Sequence, residues 1–329
     1  GIAALQSFAE TLGLPGAVSL RCQSLINNEH PNYVGHFGIG PTPYLAEALN
    51  QTDLLIAIGP RLGEMTTGGY TLLEPPVPHV DLVHVFPSGE ELGRVYEPAL
   101  SLVSDTESFC REISDWTPID HDRFNPRTTQ LRKSYEAFRA PKSVADDPVA
   151  PMFAHLAETL PADAIMCNGA GNYAAWLHRF YSYRAPGSQL APTSGSMGYG
   201  LPAAVGAGIA APEREIFAIA GDGCFLMTGQ EMATAVHHDL NLTVIVFNNH
   251  RYGTIRAHQE REFPDRISGT DLTNPDFCAL ARSFGATAFS ANDVASFKDA
   301  VSSARATTGV SLIEVQTAPK LISPGKWLA

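Results

Sequence analysis

Cysteine is scarce in this chain and badly placed for cross-linking. There are five, at Cys22, Cys110, Cys167, Cys224 and Cys278, an odd number with no CxxC pair. Such spacing argues against a disulfide framework or a thiolate zinc site and predicts a reducing, cytoplasmic setting. Long apolar runs are missing too. None approaches the length that spans a bilayer, and the first residues carry no basic-then-apolar leader pattern. Positive charge is in short supply: 22 Lys and Arg stand against 34 Asp and Glu, a net charge of −12. Nucleic acid and anionic membrane are therefore poor candidates for the main partner, since both need clustered cations. Any bound anion must be held by local devices rather than by the overall field.

What is present is ordinary globular text, 44% hydrophobic and 17% charged, and its 329 residues read as two domains. In the first, helical patterns at Ile2–Leu12, Pro43–Leu49 and Thr106–Trp116 alternate with short apolar runs at Ala17–Leu20, Asp53–Ile58, Val80–Phe86 and Leu100–Val103. Helices between wholly apolar strands predict a parallel sheet covered on both faces. The first helix has no strand before it, so residues 1–117 read as an α/β domain short of its first strand. Residues 118–148, rich in Pro, Asp and Arg with one helical segment at Gln130–Arg139, read as a surface connector. Residues 149–329 resume the alternation. Helices are expected at Val149–Leu160, Gly198–Ala210, Gly229–His237, Pro275–Phe284 and Val294–Ala306, and strands at Ala164–Cys167, Ile216–Ala220, Leu242–Asn248 and Ser311–Gln316. The fold class is α/β, with two doubly wound parallel-sheet domains.

Two of those strands end in polar pairs. IFAIA runs into Gly221-Asp222-Gly223 and TVIVF into Asn248-Asn249, with 24 residues between Gly223 and Asn248. In doubly wound sheets ligands bind at the carboxyl ends of strands, and a right-handed crossover would land both ends on one edge. Asp222 and Asn249 then offer two hard oxygens to one point, which is how Mg²⁺ is held when it bridges substrate phosphates. Glycines beside Asp222 permit close backbone approach, and amides at a helix start can donate to phosphate. Either pair alone reads as a turn former. Together, each closing an apolar strand, they read as a Mg²⁺–diphosphate clamp.

This pattern, with SGSMGYGLPAAVGAGIA, GDGCFLMTGQEMATAV and FNNHRYGTI around it, resembles the thiamine-diphosphate-dependent enzymes of the acetolactate synthase-like family. The resemblance implies a central domain followed by a thiamine-diphosphate-binding domain. It implies Mg²⁺ held by the side chains of Asp222 and Asn249 and the backbone carbonyl of Arg251. The diphosphate would meet backbone at Gly221, Gly223 and Cys224 and at Ala170, Gly171, Asn172 and Tyr173, where the family often has Gln-His in place of Asn172-Tyr173. Gly195 resembles the residue whose carbonyl accepts from the cofactor's 4′-amino group. Met197 resembles the wedge under the bent cofactor, although a lone Met is ordinarily a gap-filler. Tyr252, Gly253, Thr254 and Ile255 are expected to line the ring pocket.

The implied chemistry is decarboxylation of a 2-oxo acid, followed by aldehyde release or carboligation to a second carbonyl. The family's activating glutamate lies on an N-terminal pyrimidine-binding domain, which is expected upstream or on a separate chain. Without it this chain is expected to be silent, its site completed in a dimer or tetramer. Glu231 and His237-His238 read as capping or surface residues. His258 stands where acetolactate synthases carry an acceptor-selecting tryptophan, and it and Arg256 are substrate candidates as well as plausible surface residues. FAD is left open: GHFGIG at Gly35–Gly40 and the IGPRLGEMTTGG segment are glycine-rich, which is weak evidence. The alternatives are an inactive binding or regulatory module on the same scaffold, and a simple 2-oxo acid decarboxylase or aldehyde lyase.

Overall fold

The computed structural model describes residues 1–38, 42–114 and 123–328. It divides into two units, Gly1–Phe138 and Arg139–Ala329. Among the described residues no helix is long and apolar enough to cross a membrane.

The first unit runs α1 (Ile2–Thr11), β1 (Gly16–Ser19), β2 (Tyr33–Phe37), α2 (Pro43–Asn50), β3 (Leu54–Ile58), β4 (Asp81–Phe86), β5 (Leu100–Val103), α3 (Thr106–Ser114) and α4 (Asn125–Arg139). Every strand pairing in it is parallel, but the strands form two groups: β1 with β2, and a sheet in the order β3-β4-β5. The apolar runs dictate the second group. Leu82 and Val85 of the central strand are fully buried, and Phe8 of α1 packs with Cys110 and Ile113 of α3 against Ile56 and Ile58.

The stretch expected to be a surface connector is described only in part. Residues 118–122 lie outside the described residues, as do Asp115 and Trp116 of the predicted closing helix. The helical segment expected from Gln130 begins at Asn125 and is folded onto the first unit. Thr128 donates to the Gly13 carbonyl at 2.7 Å, and Arg132 Nη1 donates to the carbonyls of Asn28, His30 and Tyr33. Tyr135 packs edge-on to Tyr33 with ring centroids 5.1 Å apart. One guanidinium collecting three carbonyls leaves no apolar stripe to read in the sequence.

The second unit contains α5 (Ala150–Thr159), β6 (Ile165–Asn168), α6 (Ala174–Phe180), β7 (Gln189–Leu190), α7 (Gly200–Ala210), β8 (Ile216–Gly221), α8 (Asp222–Phe225), α9 (Glu231–His237), β9 (Leu242–Asn248), α10 (Gly253–Glu262), α11 (Phe277–Ser283), β10 (Thr287–Ala291), α12 (Val294–Arg305) and β11 (Val310–Gln316). A short hairpin, β12 (Leu321–Ser323) with β13 (Lys326–Trp327), follows. Its main sheet is six-stranded and parallel, in the order β10-β11-β9-β8-β6-β7.

Alternate residues of each strand face opposite cores. Phe217, Ile219, Ile245 and Phe247 pack under α5, α6 and α12, whereas Ala218, Ala220, Val244 and Val246 pack under α7, α9 and α11. This is why the strands read as continuous apolar runs rather than alternating ones. Each buried Phe or Ile here is worth roughly 1.5–3 kcal/mol by area. The chain leaves β6 for β7 on one side and returns to β8 on the other. That reversal opens a crevice at the carboxyl ends of β6 and β8.

Candidate functional site

β8 and β9 are direct neighbours, with Gly221 paired to Phe247, so the GDG turn and the Asn pair emerge side by side. Asp222 begins α8 and is only 2% exposed. Its Oδ1 accepts from the Gly223 amide at 2.9 Å and its Oδ2 from Asn274 Nδ2 at 2.8 Å. Burial pushes this carboxyl above its usual range, while hydrogen bonds from Asn274 and from the backbone at Gly223, Arg251 and His250 pull it back down. Among the described residues no Lys, Arg or His forms an ion pair with it.

On the β9 side, Asn249 Oδ1 accepts from the Arg251 amide at 3.1 Å. The Arg251 guanidinium is occupied elsewhere, with Nε 3.1 Å from Asp271, and its backbone pairs antiparallel with Asp271. Asn248 is buried. It donates to Glu314 Oε1 and accepts from Asn274 Nδ2, each at 2.8 Å.

The third segment leaves β6 as Gly169-Ala170-Gly171-Asn172-Tyr173. Gly171 sits at φ +152°, which L side chains rarely adopt. Its fixed turn brings the Asn172 amide oxygen to Thr254 Oγ1 at 2.8 Å, tying this loop to the start of α10. Tyr173 Oη lies 3.1 Å from Cys224 Sγ, which also accepts from the Gly198 amide at 3.2 Å. Burial pushes the Cys224 thiol up. Gly223 packs so closely on the Tyr252 ring that a Cβ there would come within 2.5 Å of it.

These segments enclose one cavity of about 250 Å³. Every residue named for the cofactor borders it: Ala170 to Tyr173, Gly195, Met197, Gly221 to Cys224, Asn249, and Arg251 to Ile255. Residues that sequence reasoning did not name complete the wall: Val149, Trp176, Phe247, Thr317, Leu321 and Ile322. Apart from Thr317, their only signal was apolar character, which does not separate a wall from a core. Asn274, Glu314 and Asp147, which hold the site from behind, carried no motif at all.

Two candidates stand elsewhere. Neither Arg256 nor His258 borders the cavity. Arg256 Nε pairs with Glu260 at 2.6 Å, the i,i+4 partner on α10, and its Nη1 lies 3.4 Å from Asp271. His258 is 55% exposed and faces Arg261 and Glu262. At both positions the neighbouring charges answer one another. Glu231 accepts from Thr234 Oγ1 in the first turn of α9, and His237 and His238 are exposed. In the GHFGIG segment considered for a flavin, Ile39 and Gly40 lie outside the described residues.

Comparison with known proteins agrees with this arrangement. The chain matches the central domain of thiamine pyrophosphate enzymes over residues 1–113 and their C-terminal TPP binding domain over residues 169–315. It is 29% identical over 287 residues to the acetolactate synthase isozyme 2 large subunit of Escherichia coli, covering 86% of this chain and 51% of that protein. It is 30% identical over 314 residues to the acetolactate synthase large subunit of Corynebacterium glutamicum, covering 92% of this chain and 50% of that protein. The chain thus spans about half the length of the curated relatives it matches. It belongs to the thiamine pyrophosphate enzymes, on the acetolactate synthase-like side of that family.

Proposed function

We propose that this chain holds thiamine diphosphate through Mg²⁺, in an enzyme that decarboxylates a 2-oxo acid and then either releases an aldehyde or joins the fragment to a second carbonyl. One observation carries the reading: Asp222 is a buried carboxylate without an ion-pair partner among the described residues, on the wall of a cavity built from three strand ends. An uncompensated buried charge is costly, and a bound cation is its natural complement. The donor set fits the metal. A carboxylate, an amide oxygen and a carbonyl are hard ligands that suit Mg²⁺ and leave positions for phosphate oxygens.

In this reading Asp222, Asn249 and the Arg251 carbonyl hold the metal, and the turns at 170–173 and 221–224 receive the diphosphate. Gly195 and Met197 orient the rings, and Tyr252 to Ile255 border them. Bound thiamine diphosphate supplies the electron sink that decarboxylation of a 2-oxo acid requires. The chain's own task is to orient it and keep water out, and the apolar Val149, Trp176, Phe247 and Leu321 on the cavity wall suit that. Among the described residues no glutamate borders the cavity. The activating glutamate is therefore assigned to a pyrimidine-binding domain, upstream or on a separate chain, in a dimeric or tetrameric assembly. A cytoplasmic setting belongs to the same reading and rests on the cysteine pattern.

The test is thermal. Thiamine diphosphate with Mg²⁺ at about 100 times the Kd adds about 2.7 kcal/mol of stability to a protein that binds only when folded. Asp222→Ala should abolish that gain. Wild-type protein that melts at the same temperature with and without the pair of ligands would sink the proposal. With binding in hand, a screen of 2-oxo acids read for CO₂, aldehyde and hydroxy-ketone separates the decarboxylase from the carboligase.

A further inference from the structure

Asp222 and Asn249 directly follow the ends of two strands, β8 and β9, and something has to set the gap between them. The hydrogen bonds point to a residue outside the cavity wall. Asn274 lies on the segment between α10 and α11 and does not border the cavity. Its single amide nitrogen donates to Asp222 Oδ2 and to Asn248 Oδ1, both at 2.8 Å. One nitrogen with two hydrogens thus spans the GDG turn and the Asn pair. Asn248 is anchored in turn by its own amide on Glu314 Oε1 at 2.8 Å, an oxygen that also accepts from Gln316 at 2.7 Å.

The segment carrying Asn274 is itself fixed to both sides. Tyr252 N donates to the Thr270 carbonyl at 2.9 Å and Leu272 N to the His250 carbonyl at 2.8 Å, which lace it to the strand-end loop after Asn249. Two residues on, Asp276 caps α11 by accepting from the Ala279 amide. The first residue of α11, Phe277, is fully buried and packs edge-on to Phe225 of α8 at 5.5 Å.

The side chain also bears a cost. Asn274 Oδ1 is buried without a hydrogen-bond partner among the described residues. An apolar residue would avoid that cost, so the amide is of use for its two donors. Only an amide provides them at this reach. Serine has one, leucine none, and aspartate would set a second carboxylate against Asp222.

We infer that Asn274 is a positioning residue for the metal: it sets the spacing of the two strand ends and aims the Asp222 carboxylate into the cavity. This rests on the Mg²⁺–diphosphate reading of the site, and it adds a partner that acts from behind the ligands. Outer partners of metal ligands commonly govern affinity by tenfold or more.

The experiment is a Mg²⁺ titration of the melting temperature at fixed, saturating thiamine diphosphate, on the full chain, for wild type, Asn274→Leu and Asn274→Ser. Asn274→Leu should raise the half-saturating Mg²⁺ concentration about tenfold and still reach the wild-type plateau when Mg²⁺ is in excess. Asn274→Ser, with one donor left, should fall between the two and covers the case in which the leucine variant does not fold. A merely structural role would lower the melting curve at every Mg²⁺ concentration without moving the half-saturation point, and that result overturns the inference. So does an unchanged half-saturation in folded variants while wild type responds to Mg²⁺; that outcome leaves the clamp reading standing. If wild type itself shows no Mg²⁺ response, the clamp reading and this inference fall together.

Discussion

Asp222 is a carboxylate that the fold keeps dry, and its protonation has a sign that can be worked out. Burial raises its pKa in the folded state above the unfolded value. The stability it contributes is then fully present below the ordinary carboxylate pKa and lost as pH rises through the raised folded value. At neutral pH without metal the ionised group opposes folding. Asp222→Asn should therefore melt higher than wild type in metal-free buffer at pH 7, by about 2–4 °C if the relief is roughly 1 kcal/mol. The advantage should shrink and reverse as pH falls through the acid range, where wild type recovers its proton and the variant keeps only an imperfect match to Asn274 and Gly223. Scanning calorimetry on both proteins from pH 4 to 8 in chelator checks it; a variant less stable than wild type at pH 7 defeats the argument. Asp222 and Asn249 were legible because each closes an apolar strand with a polar residue. Asn274 was not. It precedes a proline and a helix cap, and nothing in Asn274-Pro275-Asp276 distinguishes a cross-tie between two strand ends from an ordinary helix entry.

Among the elements, α5 and the C-terminal hairpin depend on one side chain. Helix α5 enters through Val149, which has no capping oxygen, and Asp147 supplies it: Oδ1 accepts from the Val149 and Ala150 amides at 2.9 and 3.0 Å. The same carboxylate accepts from Trp176 Nε1 on α6 and, through Oδ2, from the Gly325 amide in the turn between β12 and β13. Val149 and Trp176, which donate two of these bonds, and Leu321 of the hairpin border the cavity. Asp147→Ala leaves three buried donors, and the more exposed Gly325 amide, without an acceptor and should cost about 3 kcal/mol or more. Hydrogen exchange should also speed up in the hairpin at 321–327 before it does in β8 or β9. Denaturant midpoints and exchange rates read the two effects, and a hairpin protected as in wild type would show that Asp147 only caps the helix.

This anchor lies in the stretch that composition marked as a connector, since Pro and Asp density says loop and cannot say what the loop holds. Two of the elements missed lack a clear apolar pattern. Helix α10 buries no residue and is held by the Thr254 contact and by ion pairs such as Arg256–Glu260, so no apolar stripe announces it. Strand β2, YVGHF, hides its burial behind a glycine and a histidine. Strands β8 and β9, buried on every residue but Gly221, could hardly be missed.

Across the whole molecule, charge decides how a diphosphate can be held. The chain carries −12, and Asp222 adds a buried negative charge to the cavity wall. Among the described residues Arg251 is the one basic residue bordering the cavity, and its guanidinium is engaged by Asp271. An incoming diphosphate therefore meets a repulsive field with backbone amides but no free side-chain cation to answer it. A divalent ion between Asp222 and the phosphates removes both repulsions at once, so metal and diphosphate should each raise the affinity of the other by the same factor. Calorimetric titration of thiamine diphosphate at a series of Mg²⁺ concentrations should show coupling of at least about tenfold, within the usual range for linked sites. The reciprocal titration of Mg²⁺ should return the same factor. Salt gives an independent check, because at 0.15 M ionic strength the field is screened beyond about 8 Å. Added NaCl should ease metal-free binding of the diphosphate and leave the Mg²⁺-dependent binding nearly unchanged. Equal affinity for thiamine diphosphate with and without the metal would mean that the cavity answers the anion some other way, and Asp222 would then have to be explained without a cation beside it.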